Sequence, residues 1–114
     1  APNPDPAVSS YSATTPAVVV EGPMDALAAA EECYLGIALM GVMPPESALV
    51  LTAKLISGKL CYLVVDRDMV GPAISRTFMT LSVLGVRVIL VDPYPHKDLA
   101  GVPKEERGDL FQEN

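Results

Sequence analysis

Short apolar runs alternate along the chain with longer segments in which apolar residues recur at helical spacing. The first run, residues 17–20 (AVVV), is apolar throughout and mostly β-branched, which is typical of a buried strand. Similar runs follow later in the chain. Together they predict four strands, over residues 17–20, 34–40, 59–65 and 86–91.

The segments between these runs predict helices. Pro23 suits the first position of a helix over residues 23–32, with Met24, Leu27 and Ala28 forming its inward stripe. Glycines at positions 58 and 85 end the next two long helices. Those helices are predicted over residues 45–57 and 69–84, and a short polar one over residues 104–111.

Strands that alternate with helices and are apolar almost throughout predict a parallel sheet with helices on both faces, a three-layer α/β domain. Right-handed crossovers place the carboxyl end of every strand at one edge of that sheet, and ligands bind there, where the strand order reverses. Residues 1–16 are rich in Pro, Ser, Thr and Ala and predict a linker or N-terminal arm. The predicted domain therefore covers residues 17–114.

Composition and charge narrow the function classes. A chain of 114 residues that is 50% hydrophobic can bury a core, which excludes disorder of the whole chain. Its apolar runs are too short for a membrane span, so we expect no membrane association. The net charge of -6 disfavours a broad basic face for nucleic acid. We expect Cys33 and Cys61 to be buried and to act as small hydrophobic residues. Because the sequence shows no secretory signal, we expect a cytoplasmic protein.

Acidic residues follow three of the predicted strands. The first strand is followed by Glu21, Gly22 and, one helical turn later, Asp25; the third by Asp66, Asp68 and Gly71; the fourth by Lys97 and Asp98. Carboxylates crowded at one sheet edge favour a hard cation such as Mg²⁺ or Mn²⁺. Simpler roles stay open: Asp68 as a helix N-cap, Glu21 favoured by the helix dipole and Lys97 as a solvated loop residue.

Two of these segments carry a family resemblance. Residues 18–27 (VVVEGPMDAL) resemble the first motif of the Toprim domain, an apolar strand followed by Glu-Gly-x-x-Asp. Residues 63–71 (LVVDRDMVG) resemble its second, an apolar strand followed by Asp-x-Asp-x-x-Gly. Residues 38–41 (ALMG) are similar to the strand between them, and the late Lys97-Asp98 pair resembles the version found in bacterial and phage DnaG-like primases.

The resemblance implies a Rossmann-like Toprim fold with a central four-stranded parallel sheet. It also implies a metal-binding module of a DNA primase, which makes RNA primers from ribonucleotides on single-stranded DNA in replication. In that family Asp66 and Asp68 would bind Mg²⁺ or Mn²⁺, Glu21 would be a ligand or an acid/base, and Asp98 a further acid. Asp25 would support them, and Gly22, Gly71 and Lys97 would line the site or contact phosphate. Ala100 departs from the family, which often has a second acid there.

Such primases are multi-domain proteins, so the resemblance also implies partners: a zinc-binding domain and a helicase, in the same or another chain. Without them we expect this chain to bind metal but to make primers poorly or not at all. Two alternatives stay open. A Toprim-type phosphodiester nuclease would use the same acids, and a receiver-like signalling domain would also place acids after strands and a late lysine.

Overall fold

The computed structural model describes residues 15–40, 44–64 and 71–111. The predicted arm, apart from Thr15 and Pro16, therefore lies outside the described residues, as do Gly41, Asp66 and Asp68. The described chain forms four strands and four helices, in the order β1 Ala17–Val20, α1 Pro23–Glu31, β2 Leu35–Ala38, α2 Glu46–Leu55, β3 Leu60–Val64, α3 Gly71–Val83, β4 Arg87–Val91 and α4 Lys104–Arg107, followed by a 3₁₀ turn at Gly108–Leu110.

All four strands are parallel, in the order β2-β1-β3-β4. This confirms the predicted α/β class and its four-stranded parallel sheet. β1 and β3 form the centre, with Val19 level with Ile37 of β2 on one side and with Leu63 of β3 on the other. The central strands are buried along almost their whole length, as their continuous apolar sequences predict.

Alternate residues of the central strands face two separate cores. We call the side of the sheet covered by α1 and residues 92–111 the anchored face, and the side covered by α2 and α3 the helix-pair face. The anchored face buries Val18, Val20, Ala28, Ala29, Tyr62, Val64, Val91, Leu99 and Phe111. The helix-pair face buries Ala17, Val19, Ala53, Ile56, Cys61, Leu63, Leu81 and Val86. The chain thus forms the three layers that the alternation of elements predicts.

The predicted inward stripe of α1 is confirmed for Ala28 and wrong for Met24 and Leu27. Met24 and Leu27 are 66% and 60% exposed, whereas Ala28 and Ala29 face the sheet. The reason is the close approach of α1 to β2, where a Cβ added at Gly36 would collide with the carbonyl group of Ala26. A helix held this close presents its small side chains to the sheet and turns the large ones outward.

The two cysteines differ from each other. Cys61 is buried in β3 as expected, and burial raises the pKa of its thiol to about 12. The expectation was wrong for Cys33, which is exposed and has a φ of 65° in the turn after α1. Among the described residues, the helices are all too short or too polar to cross a bilayer.

Candidate functional site

The carboxyl ends of β1 and β3 lie side by side at one edge of the sheet. Val19 is paired with Leu63, so the chain leaves the two strands at neighbouring points, after Val20 and Val64. The connection from β1 leads outward to β2, and the connection from β3 leads the opposite way to β4. This is the point at which the strand order reverses, the usual position of a ligand crevice in an open parallel sheet.

Glu21 stands at this reversal point, immediately after β1. Its carbonyl oxygen accepts a hydrogen bond from the backbone N–H of Met40 at 2.7 Å, which continues the pairing with β2 past the last strand residue. The Glu21 side chain is half-buried. Glu21 therefore has a fixed backbone and a partly solvent-accessible carboxylate at the sheet edge.

Gly22 is the N-cap of α1, with extended backbone angles (φ -114°, ψ 161°) that any residue can adopt. A Cβ added there would meet no heavy atom within 4 Å. Neither the local backbone nor packing among the described residues therefore requires a glycine at this position. A role for Gly22 would lie in the open space it leaves beside Glu21.

Asp25 lies in the first turn of α1 and is 7% exposed. Its Oδ1 accepts a hydrogen bond of 2.8 Å from the backbone N–H of Ala100, a residue 75 positions later in the chain. The contact brings the loop after β4 against the start of the helix that follows Glu21. Two of the three predicted acidic segments, those of Glu21 and Asp98, are thereby held on the same part of the fold.

Asp98 belongs to a tight turn within that loop. Its Oδ1 accepts a hydrogen bond of 2.8 Å from the backbone N–H of Gly101, and its carbonyl oxygen accepts from the same N–H at 3.2 Å. The side chain of Asp98 is half-buried, and Lys97 beside it is exposed. His96, the chain's only histidine, precedes them. It is half-buried, whereas Pro95 and Lys97 on either side of it are exposed.

Arg107 completes the packing of this loop, a role that no pattern in the sequence predicts. It is 8% exposed, and its Nε donates to the carbonyl of Val102 at 3.1 Å. Its Nη1 contacts the carbonyl of Ala28 at 3.5 Å and the carboxylate of Glu31 at 2.7 Å. The guanidinium group lowers the pKa of Glu31 from its ordinary value, chiefly through this hydrogen bond. No local pattern marks a pairing over 76 positions.

The remaining predicted site residues are Asp66, Asp68 and Gly71. Asp66 and Asp68 lie outside the described residues, two and four positions after the end of β3. Gly71 is exposed at the start of α3, and a Cβ added there would meet no heavy atom within 4 Å. Within residues 15–40, 44–64 and 71–111, no three His, Cys, Asp or Glu side chains are grouped so as to hold a metal ion. A complete metal site at this edge would therefore need Asp66 and Asp68.

The described part of this edge presents the partly exposed carboxylates of Glu21 and Asp98, at the position where open parallel sheets commonly bind ligands. Comparisons with protein-family models, with curated proteins and with solved structures found no match for this chain.

Proposed function

We propose that this chain is the metal-binding catalytic module of a DnaG-like DNA primase, with a Toprim-type active site at the carboxyl edge of its sheet. The observation that carries the proposal is the pairing of Val19 with Leu63 at the point of strand reversal. It supports the proposal because the two motifs that resemble the Toprim family follow these two neighbouring strands.

The proposed ligands are carboxylates from separate parts of the chain. Glu21, Asp66 and Asp68 would hold Mg²⁺ or Mn²⁺, with Asp98 as a further acidic group. Their oxygen atoms suit these hard cations, which bind few protein carboxylates and keep positions open for phosphate oxygens. Bound cations would align the attacking and leaving oxygens of nucleotidyl transfer and offset the charge that develops on the phosphate.

The acidic character of the chain is consistent with this function only if a cation is bound. With a net charge of -6, the protein alone would repel both a ribonucleotide and a DNA template. Divalent cations held by the carboxylates reverse the local field, and Lys97, exposed on the loop, would add a contact to phosphate. The proposed partners are single-stranded DNA and ribonucleotides in the cytoplasm, with a helicase and a zinc-binding domain in the same or another chain.

Metal titration tests the proposal directly. Mn²⁺ binding is measured by calorimetry on the wild type and on the D66N and D68N variants, with D109N as a matched control because Asp109 is exposed in the 3₁₀ turn. We expect each site variant to bind Mn²⁺ at least about tenfold more weakly, since each loses a charged ligand. The D109N variant should bind as the wild type does. Unchanged affinity in both D66N and D68N would contradict the metal site.

A second assay tests the reaction. The chain is incubated with single-stranded DNA, ribonucleotides and Mg²⁺, and the products are separated by length. We expect weak primer synthesis by the wild type, because the proposed partner domains are not added to the assay. D66N and D68N should abolish that synthesis, because each removes a proposed metal ligand. Metal-dependent cleavage of the DNA without any synthesis would favour the nuclease instead.

A further inference from the structure

Asp25 connects two segments that the proposed function requires to act together. It lies four positions after Glu21 in the chain, and its buried carboxylate accepts the N–H of Ala100. Asp98 is two positions before that N–H. The hydrogen bond thus joins the helix that follows one candidate acid to the turn that carries another.

The turn held by Asp25 has little freedom of its own. Both hydrogen bonds from the Gly101 N–H to Asp98 close it, and a Cβ added at Gly101 would lie 3.2 Å from the Asp98 Oδ1. Leu99, in the middle of the turn, is 0% exposed and packs in the core of the anchored face. A shift of Ala100 would therefore carry Asp98 with it.

Helix α1, which carries Asp25, also holds the chain beyond the turn. Val102 accepts a hydrogen bond from Arg107, whose Nη1 contacts the Ala28 carbonyl and the Glu31 carboxylate of α1. Asp25, Ala28 and Glu31 are three positions apart, so they lie along one side of the helix. α1 therefore holds the segment after Leu99 at two points, directly at the Ala100 N–H and through Arg107 at the Val102 carbonyl.

We infer that Asp25 is a positioning residue, which places Asp98 relative to Glu21 by holding the backbone N–H of Ala100. The inference rests on the proposed function and adds to it that Asp25 positions another acid of the site and does not itself bind the cation. Ala100 stands where the resembled family often has a second acid, and its backbone N–H is the group that bonds to Asp25. Asp25 in turn is almost fully buried and has one oxygen engaged by that N–H.

Two substitutions of Asp25 separate positioning from direct ligation. D25N removes the charge but keeps a carbonyl oxygen able to accept the Ala100 N–H, whereas D25A removes the acceptor. Mn²⁺ affinity is measured by calorimetry and exchange of the Ala100 amide by NMR, again with D109N as the control for charge. D25A should weaken Mn²⁺ binding and speed Ala100 exchange by about tenfold or more, the value of one hydrogen bond to a charged group. D25N should lie between the wild type and D25A in both, because a neutral amide oxygen accepts a weaker hydrogen bond than a carboxylate does.

Equal loss of Mn²⁺ affinity in D25N and D25A, with slow Ala100 exchange in D25N, would overturn the inference and make Asp25 a direct ligand. Unchanged Mn²⁺ affinity in D25A would overturn it as well. If D25A does not fold, A100P takes its place, since proline removes the N–H and leaves Asp25 intact. A100P should then weaken Mn²⁺ binding, and wild-type affinity would count against the inference.

The controls distinguish this failure from failure of the proposed function. Absence of Mn²⁺ binding by the wild type would remove the proposed function and the positioning role together. Normal wild-type binding that is lost in D66N and D68N but kept in D25A would leave the proposed function standing and remove only the positioning role.

Discussion

The two faces of the sheet are held together by different kinds of contact. On the anchored face, buried Asp25 and Arg107 bind the backbone of residues 100 and 102 across 75 and 5 positions of chain, and Arg107 reaches Ala28 across 79. On the helix-pair face, the buried hydroxyl of Thr52 bonds within its own helix, to the Ala48 carbonyl at 2.8 Å. Arg76 of α3 also donates to the Pro44 carbonyl across 32 positions, but this bond is only partly buried. The anchored face is therefore assembled with buried charged groups that bind distant segments, and the helix-pair face mainly by apolar packing.

The difference follows from what covers each face. Two regular helices, α2 and α3, cover the helix-pair face and satisfy most of their backbone hydrogen bonds internally. Residues 92–103 of the anchored face form no helix or strand, and the side chains of Asp25, Asp98 and Arg107 supply partners for part of their backbone groups. The same irregular loop carries Lys97 and Asp98. Irregular loops of this kind commonly carry functional side chains, because a rigid scaffold holds them in position.

The largest expected effects come from a matched pair of core leucines, each 0% exposed: Leu81 on the helix-pair face and Leu99 on the anchored face. L81A and L99A should each lower the free energy of unfolding by about 2–5 kcal/mol, measured in urea, because each leaves a cavity. L99A alone should also speed amide exchange at Ala100 under native conditions. Leu51 is 58% exposed, and L51A is the control, with an expected change within about 0.5 kcal/mol. Equal rates of amide exchange at Ala100 in L81A and L99A would contradict this prediction, because they would show that the two faces of the sheet unfold together.

A smaller effect is expected from Gly36, where α1 approaches β2. G36A should lower the free energy of unfolding by about 1–3 kcal/mol, because the new methyl group meets the Ala26 backbone and α1 must move. The matched control is G108A, at a position where a Cβ meets nothing within 4 Å and φ is -58°. A stability loss in G108A as large as that in G36A would contradict the steric explanation.

The smallest effect concerns the pH dependence of the anchored face. The pKa of Glu31 is lowered in the folded protein, so its contribution to stability is present above the ordinary value of 4.5 and is lost as the pH falls through the lowered pKa. The wild type should be slightly more stable than E31Q at pH 7, and the difference should disappear below the lowered value. Urea unfolding over this pH range measures it. In an R107M background, proteins with Glu31 and with E31Q should be equally stable at every pH. A stability difference that persists there would show that a group other than Arg107 causes it.

The sequence was sufficient to predict the strands, because four-residue runs such as AVVV can be buried on both sides only in the middle of a sheet. It was insufficient for the orientation of α1, where hydrophobicity favoured Met24 and Leu27 but the close approach at Gly36 favoured alanines. Apolar periodicity measures how strongly a side chain avoids water. It does not measure how much room the facing strand leaves.

For the candidate site, the sequence indicates which acids follow the strands but not the contacts that these acids make. The placement of Glu21 and Asp98 near the sheet edge follows from the order of strands and loops, which the alternation of elements indicates. The partner of Asp25 is a backbone N–H, which every residue except proline offers, so no residue type at position 100 could reveal it. For the same reason Arg107, in a short polar helix, gave no sign of its burial.

The ring of Phe111 packs against Tyr34 and Tyr62, with centroids 4.8 and 5.2 Å away, and closes the end of the anchored face. A ribosome synthesises a chain from its amino terminus at about 5–20 residues per second, so β1 leaves the tunnel several seconds before Phe111 is made. During that interval Val18 and Val20 lack the part of their core that Leu99 and Phe111 contribute in the finished protein. We therefore expect nascent chains of this protein to expose part of the anchored face until position 111 has left the tunnel.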